Sequence, residues 1–215
     1  RDRSPSRGLG DVYKRQLIRE SLSKPAYKEK LRLRSYGVPD MDSKVFLEIK
    51  KKYRGLVNKR RTTLELGEAY DFIETGVKPE LQDYMNGQVL NELEYCLNLY
   101  DLEPKVYIAY DRLAYFEKGN DDLRISFDTN IRTRRSDLLL ESGDHGKRLL
   151  NSDVWLMEIK TSLAKPLWLC EMLSEFEIRS SSFSKYGTEY KNMMARQKEI
   201  PKQKIFVFGN QKQAV

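Results

Sequence analysis

Two-residue alternation of apolar and charged positions dominates the first third of the chain and returns near its middle. Between Tyr27 and Tyr36, Lys28, Lys30, Arg32 and Arg34 fall on one face with Leu31 and Leu33 on the other, the period of a strand with one wet side and one buried side. Gly37-Val38-Pro39-Asp40 reads as a turn. A second strand, Val45 to Lys52, sets Val45, Leu47 and Ile49 against Phe46, Glu48, Lys50 and Lys52. Arg54-Gly55 turns the chain into a third, about Leu56 to Leu64, with Lys59 and Arg61 in phase. These three predict an antiparallel meander whose polar face is strongly cationic.

Helical spacing follows over Gly67 to Glu74 and over Pro79 to Leu99, where Leu90, Leu93 and Leu97 align. Strands return at Lys105 to Phe116 and Leu123 to Arg132, joined by a turn through Gly119, and again near Val154 to Thr161 after a loop around 142–147. Pro166 opens a short helix to about Phe176, and Lys185 to Arg196 is patterned as another. No repeat or linker interrupts the pattern, so the fold class expected is α+β, one antiparallel domain with flanking helices.

Charge sharpens the picture because it is unevenly placed. The 215 residues carry +7 overall, with +3 in residues 1–16, +9 in 17–61 and −5 in 62–215. A basic front joined to a mildly acidic remainder points to an acidic ligand. The longest apolar runs, such as Val154 to Met157, fall far short of the ~20 residues of a membrane span. With no signal-peptide pattern either, the expected location is cytoplasmic. Cys96, Cys170 and His145 lack metal-ligand or triad spacing, which argues against a zinc site, a disulfide scaffold and Ser-His or Cys-His chemistry.

Like charges on one strand face are not neutral in energy. Alternate residues lie about 6.6 Å apart, so each neighbouring pair costs about 2.5 kcal/mol at an effective dielectric near 20. An open sheet in salt water loses nearly all of that cost, the ordinary meaning of such alternation. The pattern recurs, however, at Arg112, at Arg124, Ser126 and Asp128, and at Glu158 and Lys160, which repeat the Glu-x-Lys spacing of Glu48 and Lys50. If such strands close on one another, the repulsion persists until an anion neutralises it. A basic-lined barrel is then a polyanion receptor. Tyr107, Tyr110, Tyr115 and Phe116 could stack bases, although packing within a sheet is the commoner use of such rings.

Several short blocks in order carry a resemblance. Lys30-Leu31-Arg32-Leu33-Arg34-Ser35-Tyr36-Gly37, Phe46-Leu47-Glu48-Ile49-Lys50, Tyr110-Asp111-Arg112, Leu123 to Thr129, Leu156-Met157-Glu158-Ile159-Lys160 and Phe183-Ser184-Lys185-Tyr186-Gly187 resemble the VTC domain. This is the polyphosphate polymerase branch of the triphosphate tunnel (CYTH-like) superfamily, and the likeness is to its bacterial stand-alone type. The resemblance covers about residues 17–190. It implies an antiparallel β-barrel tunnel of eight strands, and transfer of the γ-phosphoryl group of ATP onto inorganic polyphosphate with Mn2+ or Mg2+. Tunnel-type triphosphatase activity and a non-catalytic polyphosphate- or RNA-binding module are the rival readings.

Carried over by position, Arg32, Arg34, Lys50, Arg112, Arg124 and Lys160 are the expected catalytic, phosphate-gripping set. Lys28, Lys30, Glu48, Lys59, Arg61, Ser184 and Lys185 are expected to bind substrate, and Glu158 the metal. The chemistry is consistent with these roles. Phosphoryl transfer needs positioning and charge neutralisation more than acid–base groups, and a hard cation accepts carboxylate oxygen without His or Cys. ATP and polyphosphate are the partners implied; no specific nucleic acid is expected, and a membrane-protein partner is left open. Residues 1–16, interrupted by Pro5, Gly8 and Gly10, resemble translated sequencing-adapter read-through, with a disordered basic arm as the alternative. The domain is expected over 17–196 with a tail at 197–215. Against the family pattern the chain lacks the opening basic strand and the strand before Leu17, so a truncated tunnel is expected.

Overall fold

Leu31 and Leu33, set between basic residues, are both buried, and that choice of face fixes the first sheet. In the computed structural model, which describes residues 26–199 apart from 101 and 163, β1 (Tyr27–Arg34), β2 (Lys44–Tyr53) and β3 (Leu56–Glu65) form an antiparallel meander. Leu33 lies opposite Leu47, and Val45 opposite Leu64, so one face is continuous hydrocarbon. The other face runs in cross-strand rows: Arg34–Phe46–Thr63, Arg32–Glu48–Arg61, Lys30–Lys50–Lys59 and Lys28–Lys52–Val57.

Two helices cover the apolar face. α1 (Leu66–Thr75) starts directly from β3, where Glu65 and Glu68 form a reciprocal capping box, and ends at Gly76 in the left-handed conformation. α2 is Gly87–Leu99, eight residues shorter at its start than the periodicity suggested. Its beginning is set by Asn86, whose side chain accepts from the Val89 N–H while its own N–H donates to Thr62 Oγ1. Leu66, Phe72, Val89, Leu90 and Leu93 are fully buried against Leu47 and Ile49.

The second sheet is built around a long central strand. β5 (Asn120–Arg134) pairs with β4 (Tyr107–Glu117) along one edge, and with β6 (Lys147–Arg148) and β7 (Leu156–Lys160) along the other. β6 falls in a stretch expected to be loop. A bulge around Asn130, whose φ is 49°, shifts the register between Ala109 and Asp111. It turns Arg132 and Arg134 off the face that carries Arg124, Ser126 and Asp128. Arg134 instead lies buried against the Tyr107 ring and donates to the carbonyls of Asp137, Leu139, Gly143 and His145, stapling that loop. α3 (Leu167–Glu175) and α4 (Lys185–Glu199) follow.

The expected closed barrel is not formed among the described residues. The strands make two separate sheets with no ladder between them. They are joined through side chains: Tyr107, Ala109 and Leu140 enter the same core as Leu33, Leu47 and Phe72, and the Tyr70 hydroxyl donates to Glu141 while accepting from the Leu140 N–H. The expectations for residues 1–16, for a missing first strand and for the end of the tail lie outside the described residues. Cys170 is exposed, its neighbour Leu169 being the residue α3 turns inward.

Candidate functional site

The polar face of the first sheet holds one buried carboxylate among cations. Glu48, 2% exposed, accepts from Arg32 Nε at 3.0 Å and again from the same guanidinium, and Lys59 Nζ lies 3.1 Å from its other oxygen. Burial alone would raise its pKa, but Arg32 and Lys59 outweigh this and hold it below the usual carboxylate range. Arg61, across from Glu48, lies over the Phe46 ring.

The second sheet repeats the arrangement. Asp128, 1% exposed, accepts from Arg112 Nε at 2.6 Å and a terminal nitrogen at 2.8 Å, and from Lys185 Nζ at 2.5 Å. Its pKa is likewise lowered, Arg112 and Lys185 overcoming burial. Lys185 reaches it from the first turn of α4, a position fixed by two contacts: Ser184 Oγ accepts from the Gly187 N–H, and Arg135 grips Glu189 at 2.8 and 2.5 Å. Lys185 also lies 4.3 Å from the Tyr110 ring centroid, and burial lowers its pKa. Ser184 thus spends its oxygen on starting the helix. Each sheet carries a cation–carboxylate–cation triad with an excess of one positive charge.

The two faces act on each other. Partial desolvation, then the charges of Arg32, Lys160 and Lys59, lower the pKa of Lys50, with Glu158 acting in the opposite sense. Arg32 and Arg34 likewise act on Tyr110 across the sheets. Glu158 and Lys160 lie opposite Ser126 and Arg124 on β7, with Glu158 oxygens 3.4 Å from Lys160 Nζ and 3.8 Å from Arg112. Thirteen of the predicted residues therefore gather around this double face, while Lys28 sits one row beyond Lys30, opposite Lys52. Among the described residues Arg34, Lys50, Arg61 and Arg124 have no carboxylate at ion-pair distance, and the Nε atoms of Arg34 and Arg124 are buried without a hydrogen-bond acceptor. A buried guanidinium N–H lacking an acceptor costs free energy that an arriving anion recovers.

The donor set can be tested against the metal that the resemblance implies. No group of three or more His, Cys, Asp or Glu is gathered among the described residues. Glu158 is half exposed and only loosely held by Lys160 and Arg112, whereas Glu48 and Asp128 are buried and each meets two cations at 3.1 Å or less. One half-exposed, loosely held carboxylate fits Mg2+ or Mn2+ of the kind completed by substrate phosphates and water, and does not fit an all-protein cage. Sequence reasoning did not assign Asp128 or Tyr110 to the site. The available signal was the Arg124–Ser126–Asp128 alternation, which places Asp128 on the lining and opposite Arg112.

The two sheets thus present to each other two triads, guanidiniums with no carboxylate at ion-pair distance among the described residues, and one half-exposed carboxylate. The sequence profile of the VTC domain matches residues 11–194, and the chain belongs to that family. No curated protein matches the chain. Among solved structures, a candidate adenylate cyclase from Bacillus halodurans is 15% identical with a TM-score of 0.46, over 85% of this chain and 79% of its own, a likeness too slight to argue from. No helix among the described residues is long and apolar enough to cross a membrane.

Proposed function

We propose that this VTC domain transfers the γ-phosphoryl group of ATP onto a growing inorganic polyphosphate chain, releasing ADP, with the phosphates held between the two cationic faces. The observation that carries the reading is the pair of buried Arg34 and Arg124 Nε atoms, one on each sheet, which have no acceptor among the described residues, where Lys50 also has no carboxylate at ion-pair distance. A triphosphate bridging the sheets supplies what all three lack. Arg32 and Arg112, each locked by a buried carboxylate, keep their remaining N–H donors aimed without reorganising, which is how a charged transition state is best stabilised. Lys50, Lys59 and Lys160 add point charges along the phosphate chain. Lys185, held by Asp128, offers its ammonium to the end nearest Tyr110. Glu158 would hold the divalent cation, whose chemistry when bound is neutralisation of phosphate oxygens.

A second reading keeps the same grip but sends the phosphoryl group to water. It is favoured by the exposure of Glu158 and Lys160, which leaves that end of the face wet. Incubation with ATP and Mn2+ separates the readings. Long-chain polyphosphate supports polymerase, free phosphate alone supports triphosphatase, and neither product supports a binding module.

A further inference from the structure

On the cationic face of the first sheet, aromatic rings occur at one end and lysines at the other. The Arg34–Phe46–Thr63 row is followed by Arg32–Glu48–Arg61, and then by the lysine rows of Lys30, Lys50 and Lys59 and of Lys28 and Lys52. At the ring end Tyr36 meets Phe46 edge-on, with centroids 5.7 Å apart and planes at 76°. Arg34 lies over Tyr36 at 4.7 Å and Arg61 over Phe46 at 4.8 Å. The Tyr36 ring is 50% exposed and sits beside a turn at Gly37, whose carbonyl accepts from Ser35 Oγ.

A phosphate chain gains nothing from such rings, because the negative face of an aromatic ring repels an anion. A nucleobase gains from both components, since bases stack on aromatic faces and on guanidinium planes alike. We propose that Tyr36 and Phe46, with Arg61 over Phe46, form the nucleobase shelf of the site, so that a nucleoside triphosphate lies with its base at this end and its phosphates running from Arg34 toward Arg32 and Lys50. This rests on the reading of the double face as a triphosphate site. It also gives the site a direction: at the lysine end Tyr27 and Tyr53, the latter overlain by Arg54, alternate with Lys28 and Lys52 onto the opposite face, and the cationic face there is left for phosphate alone.

Phe116 is the rival shelf. It is exposed, its ring lies 5.2 Å from the Arg124 guanidinium, and it pairs across β4–β5 near Lys160, toward the lysine end. The experiment measures binding of ATP and of inorganic tripolyphosphate by calorimetry, with Mg2+, to the parent chain and to Tyr36→Ala, Tyr36→Phe and Phe116→Ala. Tyr36→Ala should weaken ATP roughly 5- to 100-fold, the scale of one lost base stack, and tripolyphosphate less than about two-fold. Tyr36→Phe should bind both as the parent does. Equal weakening of the two ligands by Tyr36→Ala would mean the ring only props Arg34, and would overturn the shelf. So would no effect on ATP, or a selective loss of ATP in Phe116→Ala instead. Failure of the parent to bind tripolyphosphate would refute the triphosphate site itself, a result distinguishable from failure of the shelf alone.

Discussion

Asp128→Asn removes one negative charge from a buried position while preserving shape. In the parent, that carboxylate takes two hydrogen bonds from Arg112 and one from Lys185, all within 2.8 Å. The two cations are therefore roughly 5 Å apart, a separation at which they repel by about 3 kcal/mol at an effective dielectric near 20. Loss of one partner from a buried ion pair costs about 3–5 kcal/mol, and the repulsion is part of that figure. An amide oxygen can still accept from one of the two donors, so the lower end applies. At about 2–4 °C per kcal/mol for a domain of this size, the melting temperature should fall by about 6–12 °C. Tripolyphosphate should then narrow the gap, because the anion supplies the negative charge that Asp128 no longer provides. Thermal unfolding with and without tripolyphosphate, at fixed ionic strength, measures both effects. A fall of less than about 2 °C, or a gap unchanged by the ligand, would refute the idea that Asp128 holds two cations ready for phosphate.

Arg124→Ala should leave the melting temperature nearly unchanged and weaken tripolyphosphate about 10- to 100-fold, whereas Arg32→Ala should also destabilise the fold, because it deprives buried Glu48 of its main partner. Similar stability losses in the two variants would contradict the distinction between a free and a paired guanidinium. Glu158→Gln should keep tripolyphosphate binding and lose metal-dependent turnover; full activity at unchanged metal concentration would remove Glu158 from the metal's place. Glu48 and Asp128 have folded pKa values below their unfolded ones, so their contribution is complete above the ordinary carboxylate range and is lost as pH falls through the lowered values. Urea denaturation should show that contribution intact at pH 6 and stability falling steeply below about pH 4, with a shallower fall in Asp128→Asn.

Strand faces were legible in the chain because one side of each ladder meets oil and the other does not. Leu31, Leu33, Val45, Leu47 and Ile49 went to the core as alternation required. What alternation could not convey was where the period breaks. The extra residue at Asn130 turns Arg132 and Arg134 off the face of Arg124, and both bind the 137–145 loop instead. Nor could it foresee the start of α2, which depends on Asn86 finding Thr62, a partner distant in sequence. Closure was beyond reach for a similar reason. Whether two cationic sheets pair edge to edge or face each other through side chains depends on inter-sheet packing at Tyr107, Ala109 and Leu140, and local pattern carries no record of it.

On the proposed reading, the carboxylates resolve an apparent conflict in a face that takes anions. A lining of cations alone would bind triphosphate tightly, but it would also repel itself, at about 2.5 kcal/mol for each close neighbour pair. Glu48 and Asp128 each cancel one charge of a cation pair, and as buried acceptors they also fix the guanidinium plane of Arg32 and Arg112. Positioning is thus obtained without a net charge so high that the fold resists it. Arg34, Arg124 and Lys50 are then, on the proposed reading, the groups with the most to gain from ligand, since among the described residues no carboxylate lies at ion-pair distance from them. On that reading, stability is concentrated in the triads and affinity in the cations that have no carboxylate partner among the described residues. It follows that substitutions at the two sets should separate in experiment, with the triads read chiefly by unfolding and the unpaired cations chiefly by binding.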